Sequence, residues 1–348
     1  DISGFVSISG DFGFRITGAN IEVAGKDVTA QLGAGDFRVG VEDGSLAMLL
    51  ADDNTTALSA TGSFVFEGGD FANASATQVT VSLNDSTTDY ASTPLTINID
   101  GASADLTAGL DVQSVSVVGL AVDILGFVSL GGNFGFRITG ADIEVAASNV
   151  VAQLEASDIQ VGVENGSLAM LLADDSTIAL SATGSLVFEG GDFANAIATL
   201  VTVNLNDSTK DYAETPLTIS ISGVSADLNA GLGAESVSIV GLAIDISGFV
   251  TISGDLGFRI TGTDIEVAGS DVSAQLGAGD FKVGVVNGNL AMLLAADGST
   301  ALTASGTLVF EGGDFANASA TLVTVSLNDS TTDYAATPLT IAIDGVSA

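Results

Sequence analysis

Apolar and polar positions alternate with a period of two along most of this chain. Val79, Val81 and Leu83 are separated by Thr80 and Ser82, and the same rhythm runs through Phe37/Val39/Val41, Leu46/Met48/Leu50, Phe64/Phe66 and Leu95/Ile97/Ile99. Successive side chains of a strand point to opposite faces, so this rhythm predicts half-buried β-strands. Near the start, Phe12, Phe14 and Ile16 alternate with Gly13, Arg15 and Thr17. No long run carries the 3.6-residue period of a helix, and the straight-chain helix formers Lys, Arg, Gln and Glu are scarce. The turns point to antiparallel neighbours. Asp43-Gly44 separates two alternating runs, with Asn165-Gly166 and Asn287-Gly288 in equivalent places. Asx-Gly suits a two-residue hairpin because both central residues need positive φ. Ala51–Thr55 is a second expected tip, and a meander of long strands through residues 37–83 follows.

The pattern itself recurs. Asp1-Ile-Ser-Gly-Phe5 returns at Asp123 and at Asp245, and Glu67-Gly-Gly-Asp-Phe71 returns at Glu189 and Glu311, each time after 122 residues. Three Pro, three Tyr and three Met fall once per copy, at Pro94/Pro216/Pro338, Tyr90/Tyr212/Tyr334 and Met48/Met170/Met292. The copies are residues 1–122, 123–244 and 245–348, the third stopping in mid-pattern, and a chain continuing at both ends is expected. The junction from Leu110 to Ile124 is apolar and alternating, where a flexible linker would be polar or contain Pro. Copies joined by strands bury one another's faces. The fold expected is all-β: three tandem repeats of mainly antiparallel strands packed into a continuous elongated rod. A β-solenoid and a string of separate β-sandwich beads are the alternatives.

Composition narrows what such a fold could do. The formal charge is −36 with seven Lys and Arg, yet only 14% of residues are charged and 47% are hydrophobic, so a core is available and disorder is not implied. So few cations argue against nucleic-acid binding and against anionic membrane surfaces. No apolar stretch is long enough to insert into a membrane as a helix. With no Cys and no His, disulfides, thiol catalysis and imidazole catalysis are excluded.

Carboxylates remain. Glu42/Asp43 and Asp52/Asp53 sit at expected turns, where solvated acids are common. The first pair becomes Glu164/Asn165 and then Val286/Asn287, which no acid–base dyad would tolerate, so no catalytic residue and no enzyme activity are expected. Calcium takes six to eight oxygens. The loop Leu83-Asn-Asp-Ser-Thr-Thr-Asp-Tyr90 keeps two acids in every copy, and Asp85, Asp89, Asp207, Asp211, Asp329 and Asp333 are the metal candidates. Their spacing matches no EF-hand or β-roll motif, and the alternative is a polar connection pinned by Tyr90 and Pro94. No cofactor is required, calcium being the one the residues could hold. Glu67-Gly-Gly-Asp-Phe71 reads as a bulge or tight bend with Phe71 turned inward. Arg15, Arg137 and Arg259 share one repeat position and are expected to pair with a carboxylate on a neighbouring strand. Asn84, Asn206 and Asn328, each in Asn-Asp-Ser, fit an N-glycosylation acceptor.

Phe5-Val-Ser-Ile-Ser-Gly-Asp-Phe-Gly-Phe14, Ala19-Asn-Ile-Glu-Val23 and Glu67-Gly-Gly-Asp-Phe-Ala72 resemble the tandem repeats of giant acidic bacterial surface proteins of the adhesin-like kind. The resemblance covers all three copies and carries no functional residues. It implies secretion, an extracellular or cell-surface location, and a structural role in a fibre, sheath or stalk, the alternative being the stalk of a calcium-dependent adhesin. The expected partners are copies of the chain itself, end to end or laterally.

Overall fold

The computed structural model describes residues 6–34, 37–68, 72–124, 126, 128–156, 159–191, 194–314 and 316–348. The fold is all-β, with no helix among the described residues. The first copy forms β1 (Val6–Thr17), β2 (Asn20–Ala34), β3 (Phe37–Leu50), β4 (Thr56–Gly68), β5 (Ala72–Asn84), the short β6 (Leu95–Ile99) and β7 (Ala102–Leu106), and the junction strand β8 (Val112–Ile124). The second repeats the order as β9 (Val128–Thr139), β10 (Asp142–Ala156), β11 (Ile159–Leu172), β12 (Ile178–Gly190), β13 (Ala194–Asn206), β14 (Leu217–Ile221), β15 (Val224–Leu228) and the junction strand β16 (Glu235–Ile246). The third contributes β17 (Val250–Thr261), β18 (Asp264–Ala278), β19 (Phe281–Leu294), β20 (Thr300–Gly312), β21 (Asn317–Asn328), β22 (Ala342–Ile343) and β23 (Val346–Ser347). Seventeen strands belong to one sheet, and three short hairpins stand outside it. Every described ladder is antiparallel, which sets aside the parallel solenoid.

The chain divides into two compact units, one of Asp1–Ala152, Ser167–Thr177 and Thr218–Asp227, the other of Gln153–Gly166, Ile178–Leu217 and Leu228–Ala348. In the first, β1 to β5 form a meander, β5 pairs with β8, and β8 pairs through its other edge with β9. The junction between copies one and two is thus a strand inside the sheet. In the second unit β16 stands in the same way between β13 and β17, and the meander runs on from β17 to β21. The main strands run to 12–15 residues, well beyond the roughly 5–6 of an ordinary strand. Bulges interrupt them, as at Ser9/Asp11, Glu42/Ser45 and Gly62/Phe64.

One of those bulges corrects an expectation. Asp43-Gly44 is no hairpin tip: β3 runs unbroken through it. Asp43 takes φ 51°, as do Asn165 at 52° and Asn287 at 51°, and the register slips between Glu42 and Ser45. Positive φ at an Asx residue serves a bulge as well as a hairpin. Ala51–Thr55 does close a hairpin, with the Asn54 N–H donating to Ala51 O at 3.1 Å and Ala51 N–H to Thr55 O at 2.9 Å. Asp100-Gly101, with φ 51° and 99°, makes the two-residue turn joining β6 to β7.

That small hairpin organises the core. Its inward residues Ile97, Ile99, Ala102, Ala104 and Leu106 are buried against Ala24, Ala47, Leu49 and Ala57 of the sheet and against Tyr90. Three of the four sheet residues in this contact are alanines, so the hairpin lies close to the sheet backbone. Ile341, Ile343 and Val346 pack on Ala268 in the same way in the second unit. The face turned away from the hairpin carries Phe12, Phe14 and Ile16 on β1, and Phe136 and Ile138 on β9, all exposed.

Candidate functional site

The loop that follows β5 holds the first two metal candidates, and its geometry is set by Asn84. Asn84 ends the strand with its side chain buried, its Nδ2 donating to Thr88 O at 2.8 Å and Ala108 O at 3.1 Å. Its Oδ1 accepts from the Ser86 N–H at 3.0 Å and the Ser86 hydroxyl at 2.7 Å. Asn206 repeats this, with Nδ2 donating to Lys210 O, Ala230 O and Gly231 O at 2.8, 3.0 and 3.0 Å. A short polar side chain with two donors and an acceptor satisfies several otherwise orphaned backbone groups at once. Tyr90 and Tyr212 are buried beside it, their N–H groups donating to Ala108 O and Ala230 O at 3.2 Å.

The acids of this loop are held by different parts of the chain. Asp85 Oδ1 accepts the Thr56 N–H at 2.5 Å while the Asp85 N–H donates to Thr56 O at 3.1 Å, tying the loop to the start of β4. Asp207 does the same with Ile178, at 2.5 and 3.0 Å, and Asp329 with Thr300. Asp89 instead caps the next turn, accepting the Ser92 hydroxyl at 2.5 Å and the Ala91 N–H at 3.0 Å. The Ser92 hydroxyl, followed by these backbone N–H groups, holds the Asp89 carboxyl below its usual range against the opposing pull of desolvation. Asp211 accepts from Ala213 and Glu214, and Asp333 from Ala335 and Ala336. Each candidate therefore has a local partner that explains its place. No group of three or more acids suited to a metal ion gathers among the described residues.

The acid pairs divide similarly. Glu42 accepts Gln31 Nε2 at 2.6 Å and Arg38 Nη1 at 3.2 Å, while Asp43 sits at the bulge. Asp53 caps its own turn through the Thr55 hydroxyl at 2.6 Å and N–H at 3.0 Å, and these bonds, the hydroxyl first, lower its pKa, as they do for Asp175 with Thr177 and Asp297 with Ser299. An open groove in the third copy is lined by Asp280, Lys282, Glu311 and Asp314, with Lys282 Nζ 3.9 Å from Glu311.

The arginines meet the sequence expectation and exceed it. Arg15 Nε donates to Glu22 on β2 at 2.9 Å, and its Nη1 to Asn98 O of the hairpin at 3.2 Å. Arg137 joins Glu144 to Ser220 O, and Arg259 joins Glu266 to Ala342 O. Each arginine clamps a hairpin to the sheet, a role with no sequence signal because its acceptor is a backbone carbonyl 83 residues away. The paired glycines make a bend in the second and third copies, with φ 61° at Gly191 and Gly313. Phe71 and its counterparts Phe193 and Phe315 lie outside the described residues, as do Gly69 and Asp70. The glycosylation reading is corrected at Asn84 and Asn206: an amide nitrogen buried on interior carbonyls is not presented to a transferase.

No family model matches this chain, no curated protein does, and no solved structure does.

Proposed function

We propose that this chain is a structural segment of a longer extracellular repeat protein that builds a surface fibre, sheath or stalk, and that it has no catalytic role. One observation carries the reading. The junction strands β8 and β16 are each hydrogen-bonded to the copy before and the copy after, so copies are joined through continuous backbone ladders. A protein that only needed to display independent modules would separate them with linkers. The acids that could have served chemistry act instead as caps and ties, which supports the same view. The strongly acidic surface keeps such material soluble and its copies apart until specific edges meet. Electron microscopy of the native material on its source cells tests the proposal. Regular filaments or a sheath reacting with antibody to this segment are expected; antibody confined to the cell interior would reject it.

A further inference from the structure

Gly257 and Ala268 pair across β17 and β18 and meet the hairpin β22–β23 through Ile343. Phe258 and Val267 pair one step along, so they point to the opposite face. A row of paired residues crosses that face from Val203 through Val237, Phe258, Val267 and Met292 to Leu302, six strands without a polar side chain. The flanking row through Leu256 has none either, and the one through Ile260 has Glu235 and Thr300 at its margins. Each of the six strands is bonded along both edges. The exposure of Val203, Val237 and Phe258, at 37%, 36% and 41%, therefore belongs to the face and not to an edge or to an end of the chain. Val81, Val115 and Phe136 hold the same places in the first unit, at 38%, 41% and 50%. Among the described residues the elements packed across the sheet are the short hairpins, and they lie on the other face.

A sheet face of this composition is buried against a second layer in stable folds. The chain exposes 18489 Å², whereas a folded monomer of 34.4 kDa exposes about 12,900 Å². Six strands about 4.8 Å apart, crossed by three rows about 6.8 Å apart, span roughly 600 Å² in projection. Standing side chains make the accessible area larger, close to the roughly 800 Å² that each partner gives to a stable interface. We infer that this face packs on the same face of a second copy of the chain, sheet on sheet about 10 Å apart and related by a two-fold axis. Two observations select a second copy as the occupant. Chains of net charge −36 repel wherever their carboxylates meet, and the rows through Leu256 and Phe258 let like chains approach without burying one. The face also recurs with the 122-residue repeat, so a like chain offers a matching row at each step, while a partner of other sequence would have to share that period. The contact is made by side chains across the sheet. It is separate from the backbone ladders that join copies within a chain, and it holds whether or not the protein builds a fibre.

Sedimentation of the full chain in about 0.5 M sodium chloride, where charge repulsion is screened, should show a concentration-dependent dimer. Phe136→Asp with Phe258→Asp should raise its dissociation constant at least about a hundredfold. Ser103→Asp with Ser225→Asp, which adds the same charge on the outer sides of the hairpins, should leave it unchanged. Should the first pair misfold, Phe258→Cys reports instead, since the chain has no other cysteine. Its alkylation by iodoacetamide should slow as the chain is concentrated, and that of Ser225→Cys should not. A monomer at every concentration overturns the inference, as does a dimer untouched by the Phe136/Phe258 pair in a chain of unchanged circular dichroism. A Phe258→Cys thiol protected equally at all dilutions also overturns it, because the chain then covers its own face. Protection that appears only with phosphatidylcholine vesicles, together with flotation on them, overturns it in favour of a lipid surface.

Discussion

Ile99 sits on Gly13 so closely that a Cβ added to the glycine would lie 2.4 Å from the Ile99 Cβ. Gly135 and Ile221 repeat the contact at 2.8 Å, and Gly257 and Ile343 at 2.9 Å. These glycines do not have the positive φ that only glycine adopts easily. They are there for room, and each gives its hairpin a seat against the sheet backbone. Gly135→Ala should therefore destabilise the chain by about 1–3 kcal/mol through overpacking. Ile221→Ala costs stability on its own, but adding Gly135→Ala to it should cost little more, since the seat is then vacant. Urea denaturation of the four-member cycle checks this, and additive losses would show that the contact is not the cause.

Ser116 and Ser238 are 1% exposed, and their hydroxyls have no hydrogen-bond partner among the described residues. Each faces the hairpin side of a junction strand. A buried hydroxyl without a partner carries its desolvation cost uncompensated. Ser116→Ala is expected to leave stability unchanged or raise it by up to about 1 kcal/mol, whereas Ser116→Asp should cost several kcal/mol by burying a charge. The neighbouring Val117→Asp should be mild, since Val117 is only half-buried on the other face. Thermal melts of the three variants would rank them, and a Val117→Asp loss as large as that of Ser116→Asp would contradict the assignment of faces.

The Asp53 carboxyl has its folded pKa lowered below its ordinary 3.8, first by the Thr55 hydroxyl and then by the Thr55 N–H. A depressed folded pKa means stabilisation present above the unfolded value and lost as pH falls through the folded one. The Asp53 contribution is thus complete at neutral pH and disappears in acid below about pH 4. Thr55→Val removes the hydroxyl and keeps the N–H. Carbon-detected NMR titration should show the Asp53 midpoint rising in that variant; an unchanged midpoint would dismiss the hydroxyl as the cause.

Calcium should stabilise the chain no more than sodium does at equal ionic strength. Each of Asp85, Asp89, Asp207, Asp211, Asp329 and Asp333 accepts hydrogen bonds from the chain itself. Screening of a −36 charge acts over a Debye length of about 10 Å at 0.1 M and does not distinguish the ions at matched strength. Thermal melts in millimolar calcium against a sodium control decide it. A shift seen only with calcium would indicate specific sites acting by mass action.

The alternation of Val79, Val81 and Leu83 was enough to read β5, and the apolar run Val112–Ile124 was enough to read a strand at the junction. Such local periodicity separates the two faces of a strand without saying which is covered: Val81 and Val115 stand exposed, while Ser114 and Ser116 on the opposite face of β8 are buried. The Asx-Gly pairs were ambiguous because positive φ serves two purposes: Asp43-Gly44 makes a bulge, while Asp100-Gly101, without a long run on either side, makes a two-residue hairpin turn. Asn84 read as a glycosylation acceptor motif and proved to be a buried tie, since its partner Ala108 lies 24 residues on. The Gly13 seat was invisible for the same reason. Its meaning lies in Ile99, which only the folded-back hairpin brings near.

Most ladders in this sheet join strands that are adjacent in sequence; the pairing of β5 with β8, and of β13 with β16, must skip a hairpin. Contacts between sequence neighbours close short loops at small entropic cost and form early. A chain threaded out of a narrow exit could therefore fold vectorially, each strand docking on the one just emerged. The hairpin sets the pause in that progression. Strand β8 reaches the edge of β5 only after residues 85–111 have emerged, and these include Tyr90 and the carbonyl of Ala108 that Asn84 grips. Asn84 thus completes its bonds only with Ala108 in place, four residues ahead of the strand that joins one copy to the next.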